Sequence, residues 1–271
     1  MLVAGLAGGA CSSADRNFPP PPPCEGPHCT VNPAGGSVPG PDGGPDGGGT
    51  GGSDAGNPSA GTVTGTVHRI TNDAFDDLGA TFNASATILA LPPGAAMISA
   101  PYGGAAGTSF SLPGVPSGRT WFLVRDETSG GAGVLSTFSL VQLPALTAIA
   151  LPVVDLGVLQ NIASSLPAVS AKGVSPLAAQ IVLLLSHANG PYKGVALSGG
   201  AAGAQIVYDL GPGAYTDAGS VTGAAGTIIL FNAGLGGLST LTLTDLTSMT
   251  TYQVSVQAAA GAATLVRADL E

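Results

Sequence analysis

Positive charge is scarce in this chain. Seven Lys and Arg stand against 16 Asp and Glu in 271 residues, for a net charge of −9. The deficit is shared between about −4 before residue 61 and −5 after it. Neither part carries the basic stripe that a phosphate backbone demands, which excludes nucleic acid as a partner. Charged residues of both signs make up only 8% of the chain, far below the usual quarter, and aromatics only 5%, with a single Trp. A core must therefore come from Ala, Val and Leu, with Thr, Ser and Gly on the surface. No apolar run reaches 18 residues, so the sequence gives no membrane-spanning helix.

The motifs of common enzymes are missing too. There is no Gly-x-Ser-x-Gly elbow and no Gly-x-x-x-x-Gly-Lys phosphate loop. His28, His68 and His187 are scattered and fit no metal-binding spacing. Paired carboxylates for glycoside cleavage would have to be assembled from distant loops. The expectation is a protein without catalysis or cofactor; the alternatives are a secreted hydrolase with a loop-assembled site and a subunit of an envelope complex that uses an exposed sheet edge for strand addition.

What is present before residue 61 is Gly, Pro, Ser and Asp. Pro19 to Pro23 form a short polyproline II rod. Pro39-Gly40-Pro41-Asp42-Gly43-Gly44-Pro45-Asp46-Gly47 opens an acidic linker that cannot bury enough apolar surface to offset its ordering entropy. Residues 12–61 thus read as a disordered tether. Only three Cys occur, and none after residue 29. Cys24 and Cys29 flank Glu25-Gly26-Pro27-His28 and read as a local disulfide in an oxidising compartment. With His28 they would supply only three metal ligands, in a segment with no fold to hold them.

Cys11 ends a run of small apolar residues, Met1-Leu2-Val3-Ala4-Gly5-Leu6-Ala7-Gly8-Gly9-Ala10. A small-residue approach to a Cys, followed by a low-complexity tether, resembles a bacterial lipoprotein signal, residues 1–11, without the usual basic start. The resemblance implies that Cys11 is acylated and that the chain lies outside the cytoplasm, held to a membrane by lipid. Ser12 after it resembles lipoproteins passed to the outer membrane.

From Thr62 onward, short β-forming runs alternate with Gly and Pro. The first set covers 63–70, 84–91, 96–101, 108–112, 119–126, 134–141 and 146–153. A stretch over 155–166 reads as a helix stopped by Pro167. The second set covers 180–186, 194–198, 205–209, 227–232, 239–245, 252–257 and 263–268. Such spacing predicts an all-β protein with two tandem seven-stranded antiparallel β-sandwiches, over 62–153 and 177–271, joined by a connector at 154–176. Internal echoes support duplication. Ala105-Ala106-Gly107-Thr108 matches Ala224-Ala225-Gly226-Thr227, and Asp126-Glu127-Thr128-Ser129 matches Asp245-Leu246-Thr247-Ser248 at the same spacing.

The second set carries Ile181–Leu185, then Ala188-Asn189-Gly190-Pro191-Tyr192-Lys193-Gly194-Val195, Tyr215-Thr216-Asp217-Ala218-Gly219 and Gly226-Thr227-Ile228-Ile229-Leu230-Phe231-Asn232. This layout resembles the carboxypeptidase-regulatory-like, transthyretin-like (prealbumin-like) domains of bacterial surface proteins, well over 177–271 and weakly over 62–153. The resemblance implies a sandwich used as a spacer, adhesive or ligand-binding module, usually without catalysis. It also raises a Lys–Asn isopeptide bond between Lys193 and Asn232, with Asp209 or Asp245 as the acid, although Lys193 falls in a turn.

Two candidate sites remain. Asp73, Asp76 and Asp77 form the densest acidic cluster, readable as a calcium loop or as a solvated turn. On the strand over 119–126, Arg119, Trp121, Leu123 and Arg125 share one face. The matching residues 240, 242 and 244 are Thr, which predicts Trp121 on the outer face, an exposed indole beside two Arg for stacking a sugar or anchoring a partner. The expected protein is a monomeric envelope module that binds a glycan or an envelope protein.

Overall fold

A computed structural model of the chain describes residues 60–271 apart from 105–107, 129–132, 144–146 and 189. Cys11, Cys24 and Cys29 lie outside the described residues, as do the first part of the Ala105–Thr108 echo and Asn189.

The elements in order are β1 (Ala60–Ile70), β2 (Ala86–Leu91), β3 (Ile98–Tyr102), β4 (Phe110–Pro116), β5 (Gly118–Asp126), β6 (Val134–Leu143) and β7 (Thr147–Asp155). Helices α1 (Leu156–Ser164) and α2 (Pro167–Ser170) follow. Then come β8 (Ala179–His187), β9 (Gly190–Pro191), β10 (Val195–Gly199), β11 (Gln205–Gly211), β12 (Ala214–Thr216), β13 (Thr227–Ala233), β14 (Gly237–Asp245), β15 (Thr251–Ala258) and β16 (Ala262–Asp269). The described residues are all-β with two short helices at the expected connector. Strands β5 and β14 have the same length and start 119 residues apart, at 118 and 237, which supports the duplication.

The first set packs as two layers. One is β3-β2-β5-β6 and the other β4-β1-β7. Between them lies a core that includes Val67, Ile88, Phe110, Leu112, Phe122 and Leu151, each at most 1% exposed. Alternation explains the inward side chains: Phe122 and Val124 on β5 point into this core, as the sequence predicts. In the second set, β12-β11-β13-β8-β16 faces β10-β14-β15. Ile181, Leu183, Ile228, Leu230, Leu241, Leu243, Val254 and Val256 fill the space between.

The expectation of two tandem seven-stranded antiparallel sandwiches is corrected in two respects. Pairing is mixed, because β7 lies parallel to β1 and β16 lies parallel to β8. More consequentially, β16 also pairs in parallel with β6, with Ala262–Leu265 opposite Ser136–Ser139. The C-terminal strand is thereby hydrogen-bonded to both sets, and one sheet runs continuously from β12 to β3.

A third core lies on the other face of β13-β8-β16. It holds Val158, Leu159, Ile162 and Val169 of the helices with Ile70, Phe75, Val182, Ile229, Phe231 and Leu265. Strand β8 is therefore covered on both faces, the physical reason for the unbroken apolar run Ile181–Leu185. Asp155 fixes the start of α1: its Oδ1 accepts the Gly157 N–H at 2.7 Å, while its Oδ2 pairs with Arg69 Nη2 at 2.7 Å. Pro167 opens α2, where its missing N–H costs nothing, rather than only ending α1.

Candidate functional site

Trp121 is not exposed. Its accessibility is 7%, and it belongs to the second core with Phe138, Leu183 and Val266. The cause is the continuous sheet. Because β16 joins β6, the outer face of the first set continues as a face of the second core. Thr264 on β16 sits opposite Phe138, Phe138 opposite Leu123, and Trp121 opposite Leu140 and Leu91. The inference from β14 holds for its buried side, Leu241 and Leu243, but Thr240 and Thr242 show only that β14 itself has an open face. Arg125 pairs with Glu127 at 3.0 Å in solvent, and Arg119 is half-buried. The sequence did hold a signal: β5 is apolar on both faces at Trp121-Phe122-Leu123-Val124, as a doubly covered strand should be.

The acidic loop does not gather its carboxylates. Asp76 Oδ1 accepts from Asn72 Nδ2 at 2.5 Å, and Asp77 Oδ1 accepts the Gly79 N–H at 2.9 Å. The Asp73 backbone carbonyl accepts the Tyr215 hydroxyl. Among the described residues no three His, Cys, Asp or Glu side chains converge as a metal site. The isopeptide geometry fails as well. Lys193 is exposed beside Tyr192, whose N–H bonds Leu185 O, whereas Asn232 lies beside Gln180 at the far end of β8. Five residues of strand separate them by roughly 17 Å.

The buried acids are engaged by the backbone. Asp209, 1% exposed, accepts the N–H groups of Gly223, Ala225 and Thr227 at 2.9, 2.7 and 2.8 Å. It pins the loop between β12 and β13. Asp217, from the Thr-Asp motif, reaches across to accept the Ala168 N–H of α2 at 2.6 Å. Asp245, 4% exposed, accepts from Ser248 Oγ at 2.6 Å, Thr247 N at 2.8 Å and Tyr192 Oη at 2.9 Å. Those donors hold its carboxyl at about 2, with the Ser248 hydroxyl the largest cause. The Tyr192 hydroxyl is pushed far up, first by hydrogen bonding with Tyr252, then by burial and Asp245. His187 stacks on Tyr192 at 5.0 Å and bonds the Leu270 carbonyl through Nδ1. This cluster closes one end of the second core; each polar group in it faces a structural partner.

A cleft of about 320 Å³ opens beside that end, lined by Ala74, Leu184, Leu185, Pro191, Pro212 and Arg267 among others. Its walls are mainly apolar, and the Arg267 guanidinium makes no hydrogen bond or ion pair among the described residues. The size suits a small ligand. Sequence reasoning missed it because its walls come from three separate loops and three strands.

No known protein family matches the chain, and no curated protein matches it. Several solved structures have distant likenesses. The fimbrial anchor protein Mfa2 from Porphyromonas gingivalis is 9% identical, with a TM-score of 0.25, over 72% of this chain and 82% of its own. A putative cell adhesion protein from Bacteroides eggerthii is 12% identical, with a TM-score of 0.22, over 81% of this chain and 89% of its own. A tetra-tandem repeat from the extending region of a large adhesion protein is 14% identical, with a TM-score of 0.14, over 72% of this chain and 48% of its own. Likenesses at this distance carry no conclusion about what the chain does.

Proposed function

We propose that the protein is a non-enzymatic cell-envelope module that spaces and presents a binding surface, anchored by lipid at Cys11 and held off the membrane by the residues between Cys11 and β1. The observation that carries this reading is the double pairing of β16, which bonds β6 on one side and β8 on the other. Two β-units welded through one strand make a stiff body. A stiff body that follows a Gly- and Pro-rich sequence suits spacing better than turnover. The buried carboxylates fit the same reading, since Asp209 and Asp245 are committed to holding loops. A sugar-stacking role for Trp121 is set aside, because its ring is buried.

The anchor is tested by metabolic labelling with a clickable fatty acid in a bacterial host that exports the full chain. Wild type should take up label and fractionate with membranes, and Cys11→Ala should do neither. Unlabelled, soluble wild type would overturn the anchor.

A further inference from the structure

The layer β10-β14-β15 stops at β15, while the sheet beneath it continues past β16 through β6, β5 and β2. The face beneath that layer therefore reaches beyond β15. On this continuation Trp121 is buried, while Leu91, Leu123 and Leu140 around it pack against the second core but are only half-buried. Beside them runs the outer edge of β15. Among the described residues β15 pairs with β14 alone.

The direction of its backbone groups follows from the hairpin. Asp245 N donates to Thr250 O at 2.9 Å, so residues 245 and 250 are a hydrogen-bonded pair. Antiparallel pairs alternate, which leaves Thr251, Gln253 and Ser255 opposite Thr244, Thr242 and Thr240 with their N–H and C=O groups turned outward. At the end of the strand, the Gln257 carbonyl is already taken by the Thr264 hydroxyl. Nothing in β15 blunts this edge: Thr251-Tyr252-Gln253-Val254-Ser255-Val256-Gln257-Ala258 has no Pro, Gly or charge. Pro101 blunts the edge of β3, Pro113 and Pro116 that of β4, and brevity that of β12, while at the edge of β10 the Val195 and Leu197 N–H groups donate to Thr222 Oγ1 and Tyr208 Oη.

The duplication says what such an edge receives. Strand β6 follows β5 in the first set as β15 follows β14 in the second, each as an antiparallel partner. The outer edge of β6 takes β16 in parallel. We infer that the outer edge of β15 is a strand-addition site for one extended segment of a partner protein. That segment lies parallel to β15, with small apolar side chains on Leu91, Leu123 and Leu140 and uncharged polar ones outward. The small buried side chains of β16 at the first junction, Ala262 and Thr264, set the size of the inward ones, and Gln253 and Ser255 of β15 the polarity of the outward ones. Antiparallel edge-to-edge pairing of a second copy through β15 is disfavoured, because the long lower sheets of the two copies would then lie on the same side and occupy the same space. This inference deepens the binding role proposed above but does not depend on the anchor, which the labelling experiment tests separately.

The test uses the full chain and an acetylated peptide of the β16 sequence, Ala262–Asp269. Amide exchange at Gln253 and Ser255 should be fast in the free monomer and slow at least tenfold with excess peptide, in a saturable way. A peptide N-methylated on alternate amides should give no protection, a control that leaves the protein untouched. Ser255→Pro, which removes an outward N–H, and Leu123→Lys should each weaken binding at least tenfold. Equal binding of the methylated peptide, or no protection at the highest soluble peptide concentration, overturns the site. Protection in the free monomer would show that the chain's own segment before residue 60 fills the edge. Protection that rises with protein concentration would show a second copy there. Either result also overturns the inference.

Discussion

Replacing Asp209 with Ala removes the acceptor for three backbone N–H groups at once, those of Gly223, Ala225 and Thr227, at 2.7–2.9 Å. Hydrogen bonds to a charged group contribute about 1.5–3 kcal/mol each, and a buried donor left unpaired costs its desolvation. Three such bonds would sum to more than about 4.5 kcal/mol if nothing relaxed. Water entering the truncated site recovers part, so a loss of about 4 kcal/mol is expected. For a body of this size, about 2–4 °C is lost per kcal/mol, which puts the melting midpoint about 8–16 °C lower. Asp209→Asn separates charge from shape. Its Oδ1 can still accept from Gly223 and Thr227, but an amide NH2 then confronts the Ala225 N–H, so about half the loss is expected. Urea unfolding followed by the single Trp measures both variants. A change below about 1 kcal/mol in the Ala variant, or an Asn variant as damaged as the Ala variant, would refute the clamp.

Other consequences follow from the same structure. Trp121→Ala should cost about 3–5 kcal/mol, as for a buried aromatic; a loss under about 1 kcal/mol would restore an exposed ring. Asp245 has its carboxyl lowered from the usual 3.8 to about 2, so its contribution is complete above the usual value and is lost as pH falls toward 2. Carboxyl NMR of Asp245 should show a midpoint near 2, and a midpoint near 3.8 would contradict the Ser248 and Thr247 contacts. Gly226 has φ +65° and would place a Cβ 2.4 Å from Leu185 O. Gly226→Ala should therefore lose about 3 kcal/mol by thermal melting, and an unchanged midpoint would disprove the close approach.

Strand positions were legible because alternation and turn residues are local signals. Val63–Ile70 and Ser239–Asp245 show them plainly, and both fall within β1 and β14. The unbroken run Ile181–Leu185 could be read as a buried strand, but not as one covered by a helix layer on one face and a second sheet on the other. Ala214–Thr216 was missed because three residues after Gly211-Pro212-Gly213 carry no period. The error over Trp121 is of a different kind. Alternation assigned its face correctly, yet that face joins the second core only because β16, about 140 positions away, pairs with β6 in parallel, a pairing that no local pattern encodes. The same holds for Asp209, whose partners lie in a loop that alternation does not describe.

If β16 makes one stiff body of two β-units, the full chain unfolds as a unit. Differential scanning calorimetry should then show a single transition with calorimetric and van't Hoff enthalpies equal. Two transitions, each assignable to one strand set, would contradict it.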